Sequence, residues 1–95
     1  MYRGVLKVTN LAATSPKIIE KIEELGGRKA GQVELGWKKT PSSAYFHFTM
    51  PQARYEELVE FLRAYDTAEI RKERHPRVMP EGIVRLIIEV EEAQP

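Results

Sequence analysis

Residues 44–65 read AYFHFTM-P-QARYEELVEFLRAY. Before the proline the segment alternates. Ala44, Phe46, Phe48 and Met50 share one side, and Tyr45, His47 and Thr49 the other. That is the period of a strand buried on one face. Pro51 fits the first turn of a helix, where an N–H has no intrahelical partner anyway. Tyr55, Leu58, Val59, Leu62 and Tyr65 then recur at helical spacing and form one apolar stripe. A strand that feeds directly into a helix sets the topology of the domain.

The preceding residues repeat the theme. Residues 2–9 alternate as a strand, with Tyr2, Gly4, Leu6 and Val8 against Arg3, Val5, Lys7 and Thr9. Ser15 as N-cap and Pro16 at the first helical position predict a helix start. Ile18, Ile19, Ile22 and Leu25 carry that helix to Gly26-Gly27, where one glycine is expected in the left-handed conformation. Residues 31–38 read as a second strand, with Gly31, Val33, Leu35 and Trp37 on one face. Residues 39–43, with Pro41 inside, read as a turn.

After residue 65 the signal weakens and then returns. Residues 68–74 hold one large apolar residue, Ile70, and predict an edge strand. Residues 75–82 contain Pro76, Pro80 and Gly82 and predict a loop. Residues 83–90 predict a strong strand, with Val84, Leu86, Ile88 and Val90 on one face and Ile83 and Ile87 on the other. The expected order is β-α-β-β-α-β with an extra strand. This is a two-layer α+β sandwich of the ferredoxin-like kind, an antiparallel sheet with two helices on one face. Residues 1–92 form a single domain and residues 93–95 a polar tail.

Composition bounds the function. The chain of 95 residues is 42% hydrophobic and 31% charged, with a net charge of +1. It is one globular domain, a whole small protein or an excised piece, with no general pull towards nucleic acid or anionic membrane. It has no cysteine, hence no disulfide and no thiolate metal site. No apolar run approaches the ~18 residues of a membrane span, so membrane insertion is not expected.

Catalytic chemistry finds little material. Nucleophilic catalysis needs a nucleophile, a base and an orienting acid. Ser15, Ser42 and Ser43 read as cap and turn residues. His47 falls on the polar face of a strand, and His75 in a basic loop. Glu23-Glu24 and Glu56-Glu57 are adjacent on solvent-facing helix surfaces, whereas acid–base work calls for a raised pKa in a pocket. No phosphate-binding glycine loop is present. The chain therefore reads as a non-enzyme without metal or cofactor.

Two surfaces remain as binding candidates. The first is a basic patch, Arg71, Lys72, Arg74 and Arg77 with His75, which Arg85 would face if the last two strands pair. Such a patch suits a phosphate or an acidic partner, and more simply an edge strand guarded by charge. The second is the open sheet face, which would carry Arg3, Val5, Lys7, Tyr45, His47, Arg85 and Ile87. This mixture suits a protein or ligand contact.

Single-stranded RNA binding is an alternative for the open face. Leu6-Lys7-Val8-Thr9-Asn10-Leu11 resembles the first-strand motif of RNA-recognition domains in its aliphatic and Asn-Leu positions. Lys7 stands where that motif has a stacking aromatic, and residues 45–48 lack its glycine-aromatic pattern. Nucleic acid is thus not the expected partner. A small-ligand regulatory domain, with a site near residues 10–15, is a further alternative.

One resemblance covers most of the chain. A helix ending in Leu25-Gly26-Gly27, an alternating strand, and a strand ending in Met50-Pro51 before Tyr55, Leu58 and Leu62 resemble the extracytoplasmic domains of unknown function in bacterial single-span membrane proteins. Some of those stand behind a zinc-finger module in anti-sigma factors. The resemblance implies a sensory or interaction role outside the cytoplasm, in the periplasm, with another protein or a covalently attached signalling module as partner. Edge pairing through the weak strand at 68–74 offers a homodimer as a second possibility. Without it, a cytoplasmic location would be expected. It supplies no catalytic residues.

Overall fold

The structure, a computed structural model, describes residues 2–65, 69–72 and 82–93. Strands β1 (Tyr2–Val8), β2 (Arg28–Lys29), β3 (Trp37–Thr40), β4 (Ser43–Pro51), β5 (Glu69–Lys72) and β6 (Ile83–Glu92) form one sheet. Helices α1 (Leu11–Glu24) and α2 (Tyr55–Leu62) cover one side of it, and a single 3-10 turn, Gln52–Arg54, leads into α2.

The sheet runs β2-β4-β6-β1-β5, and β3 pairs with the same strand, β4, as β2 does. The two-layer α+β sandwich is as the sequence predicts. The strand order is not the ferredoxin-like one, and the sheet is not wholly antiparallel. β6 lies between β4 and β1, antiparallel to the first and parallel to the second. Its residues explain the position. Ile83, Val84, Leu86, Ile87, Ile88 and Val90 make it the most apolar strand, which favours the middle of a sheet where both ladders are paired. β5 takes the edge beside β1, as its composition predicts.

Alternation decides what is buried. Leu6 and Val8 from β1, Ala44, Phe46, Phe48 and Met50 from β4, and Leu86, Ile88 and Val90 from β6 form one apolar layer. Leu11, Ile18, Ile22 and Leu25 from α1 and its C-cap, with Leu58 and Leu62 from α2, close it from above. Phe46 and Phe48 are fully buried at its centre. Burying two such rings contributes about 1.5–3 kcal/mol each.

Helix α1 begins earlier than Ser15-Pro16 suggests. Its N-cap is Asn10, whose Oδ1 accepts from the Ala13 amide at 3.0 Å. That bond satisfies one of the free amides of the first turn. Pro16 consequently sits inside the helix, and the Ala12 carbonyl receives no N–H from it. The other end follows the sequence. With Leu25 as C-cap, Gly26 takes φ +83°, its amide bonds Glu23 O at 3.0 Å, and the Gly27 amide bonds Ile22 O at 2.7 Å. This is the paired closing pattern of a Schellman turn.

The predicted strand at 31–38 is replaced by an interrupted edge. The Ala30 amide bonds His47 O at 2.9 Å, and the Gly36 amide bonds Tyr45 O at 3.0 Å. Residues 31–35 therefore bulge out between two neighbouring positions of β4. A Lys29–Glu34 ion pair at 3.1 Å spans the base of the excursion. Gly36 returns the chain with φ +81°, a conformation that favours glycine. That turn reverses the face. Leu35 packs against the core, while Trp37 emerges on the opposite side of the sheet.

Candidate functional site

The side of the sheet away from the helices is built from the alternate residues of three long strands. Register aligns them in rows across the sheet. Arg85 of β6 lies beside Thr49 of β4, and Arg28 of β2 is Thr49's partner on the other side. The next row holds His47, Ile87 and Arg3. The one after holds Trp37, Tyr45, Glu89 and Val5. The last holds Ser43, Glu91 and Lys7. Arg3, Lys7, Tyr45, His47 and Arg85 thus stand on one face, as their sequence parity requires.

Three residues sharpen this face. Val5, Trp37 and Ile83 are the exposed large hydrophobic side chains among the described residues, and all three belong to it. Trp37 is 47% exposed, next to Tyr45, whose ring meets His47 edge-on with centroids 6.2 Å apart. Ile87 is only 7% exposed at the middle of the face, flanked in register by His47 and Arg3. The face therefore has a closed apolar centre and an exposed apolar rim.

Its charges are of both signs. Lys39 reaches across β4 to Glu89, Nζ to Oε1 at 3.4 Å. Lys7 stands in register with Glu91 on the neighbouring parallel strand. These residues, with Thr40, Ser42 and Ser43, line a groove of about 600 Å³ at one end of the face. Two carboxylates among the lysines and arginines make the surface amphoteric.

The other predicted candidates fare differently. Arg71 and Lys72 belong to β5, opposite Arg3 and Tyr2. Arg74, His75 and Arg77 lie outside the described residues. Arg85 does not face this strand, because β1 intervenes between β5 and β6; the reason is again β6's preference for the centre. Near residues 10–15, a groove of about 540 Å³ runs beside α1, lined by Ala12, Ser15, Pro16, Ile19 and Gly36 among others. It flanks the helix rather than its N-terminus, where the Asn10 side chain already occupies the Ala13 amide.

Titration is perturbed in the helical layer. Burial raises the Tyr55 phenol above its ordinary range, helped by the negative forms of Tyr2 and Glu56. Its ring stacks on Tyr2 with centroids 4.4 Å apart. The Glu57 carboxyl is lowered by its hydrogen bond from Arg54, Nε to Oε1 at 2.7 Å. Both belong to structural contacts away from the open face. Among the described residues, no group of three or more acidic or histidine side chains could hold a metal ion. No described helix is long and apolar enough to cross a membrane.

Sequence reading missed Trp37, Lys39, Glu89 and Glu91 as members of this face. Trp37 continues the alternation of Val33 and Leu35, so the sequence places it on their face. Its real side depends on the reversal at Gly36. The two glutamates were readable from the parity of Ile87. Comparison with family models, with curated protein sequences and with solved structures returns no match.

Proposed function

We propose that this chain is a non-enzymatic interaction domain that binds another protein through its open sheet face and passes that state to an attached module. One observation carries the reading: the exposed large hydrophobics Val5, Trp37 and Ile83 gather on that face. Exposed apolar groups concentrated on one surface and interspersed with polar ones mark a contact site. Trp, Tyr and Arg, the side chains that dominate protein contacts, are all present there as Trp37, Tyr45, Arg3 and Arg85. A sensory role in the manner of extracytoplasmic anti-sigma domains draws its support from the resemblance around Leu25-Gly26-Gly27 and Met50-Pro51.

The test places a photoreactive phenylalanine at Tyr45 and, separately, at Glu60 on the helical layer, in cells that produce the protein. Discrete cross-linked species are expected from position 45, lost when Trp37→Ala is added. None is expected from position 60. The same adducts from both positions, or none from position 45, would overturn the reading.

A second reading has one observation in its favour. Trp37 beside Tyr45 offers a stacking surface of the kind that holds unpaired bases. Glu89 and Glu91 in the same rows oppose it. Saturable quenching of the Trp37 emission by a short oligonucleotide at low salt would favour single-stranded nucleic acid over protein.

A further inference from the structure

The rows of the open face have a symmetry that suggests what covers it. Ile87 sits midway along β6, the middle strand of the sheet. One row to one side of it lie Arg28, Thr49 and Arg85; one row to the other side lie Trp37, Tyr45 and Glu89. A two-fold axis parallel to the sheet, perpendicular to the strands and passing over Ile87, exchanges these two rows. It sets Arg85 of one copy against Glu89 of the other, Arg28 against Trp37, and Thr49 against Tyr45. The first contact is an ion pair, the second a cation–π contact, and the third places a hydroxyl beside a phenol. Ile87 meets its own copy at the centre.

We infer that the partner of the open face is a second copy of this chain, packed sheet to sheet in a symmetric dimer. The inference rests on the open face being an interaction surface and names its occupant. In such an arrangement the strands of the two sheets align within about 30° and the sheets lie about 10 Å apart. Five strands at ~4.8 Å spacing and about seven residues of usable length give a face of roughly 600 Å² per copy. Two such faces bury about 1,200 Å², the lower end of the range for specific complexes. The charge pattern points the same way. A surface that must meet itself needs both signs, offset across the axis. Arg85 and Glu89 are two residues either side of Ile87 on one strand. On the same central row His47 and Arg3 also meet their own copies, either side of Ile87, and the Arg3 pair is a like-charge contact that the two Arg85–Glu89 pairs must offset. Lys39, already on Glu89 at 3.4 Å, adds a second cation to the inter-copy pair.

Charge reversal tests the pairing. The full chain is followed by sedimentation equilibrium from micromolar to about 1 mM, the span over which weak specific dimers dissociate. The wild type should dimerise, with a blue shift of the emission of its single tryptophan, Trp37. Arg85→Glu sets carboxylate against carboxylate across the axis, and Glu89→Arg sets guanidinium against guanidinium. Each alone should weaken the dimer at least about tenfold. An equimolar mixture of the two variants should restore association as a heterodimer, seen by native mass spectrometry. Circular dichroism of each variant verifies that it is folded. A wild type that stays monomeric, or variants that fail to rescue each other, overturns the dimer. If the wild type is monomeric while position 45 still cross-links to a different chain, the self-pairing falls and the interaction role stands. If both signals are absent, both fall.

Discussion

Gly27 is pressed against Ile22. Its amide donates to the Ile22 carbonyl at 2.7 Å, and a Cβ added there would lie 2.5 Å from Ile22 Cγ2 and 2.8 Å from Ile22 O. Ile22 is itself buried in the core, so it has little room to yield. Gly27→Ala should therefore destabilise by about 2–3 kcal/mol through overpacking. Gly26→Ala meets only Pro51, at an ordinary 3.4 Å, and carries the strain of φ +83°. It should cost about 1 kcal/mol. Urea unfolding of the two variants ranks them, and equal midpoints would contradict this account of the turn.

The start of α1 can be checked by two substitutions that the alternative starting points rank oppositely. Asn10→Ala removes the cap on Ala13 and should cost about 1 kcal/mol. Ser15→Ala should be neutral or slightly stabilising. Ser15 Oγ is buried with no hydrogen-bond partner among the described residues, so removing it relieves an unsatisfied group. A larger loss for Ser15 than for Asn10 would move the helix start to where Ser15-Pro16 first suggests it.

Phe46 and Trp37 separate fold from surface. Phe46 is fully buried and Trp37 is 47% exposed. Phe46→Ala should cost about 3–5 kcal/mol, a large part of the stability of a domain this size. Trp37→Ala should change stability by no more than about 0.5 kcal/mol and abolish association. Thermal melts with sedimentation on the same samples distinguish the two. A large melting shift for Trp37→Ala would return that side chain to the core.

The first turn of α2 should respond to acid. Arg54 bonds Glu57 twice, at 2.7 and 3.0 Å, and that bond chiefly lowers the Glu57 carboxyl from its ordinary 4.5. A depressed carboxyl contributes stability that is present above the unfolded value and lost as pH falls through the folded one. Both side chains are exposed to solvent, so the contribution is small. The stability difference between wild type and Glu57→Gln should be constant near neutrality and shrink below pH 4.5. A difference that grows on acidification would reverse the assigned sign.

How far the residues foretell this structure depends on the range of the information needed. Local alternation placed Phe46, Phe48, Leu86 and Ile88 in the core and Arg3, Tyr45 and His47 outside, because a period of two is fixed by strand geometry alone. The end of α1 was equally local, held in two glycines. Strand order was not local. Nothing in residues 83–90 taken alone says which strands flank them; only their unusual apolarity hints at a central place. The side of Trp37 was lost for a subtler reason. One positive φ at Gly36 inverts every parity after it until the next turn. The face was therefore legible in outline, and its most exposed aromatic was not.

The position of β6 has a consequence for how the chain is made. It is the last strand in sequence, yet both β1 and β4 bond to it. During synthesis those two strands leave the ribosome with their apolar sides formed and their shared neighbour missing. No central ladder can close until residue 92 has emerged. Such long-range closure is slow, and the waiting strand edges are open to mispairing with other nascent chains. The domain should thus close in one late step once residue 92 has emerged, and a chain cut short within residues 83–92 should aggregate rather than fold to a smaller sheet.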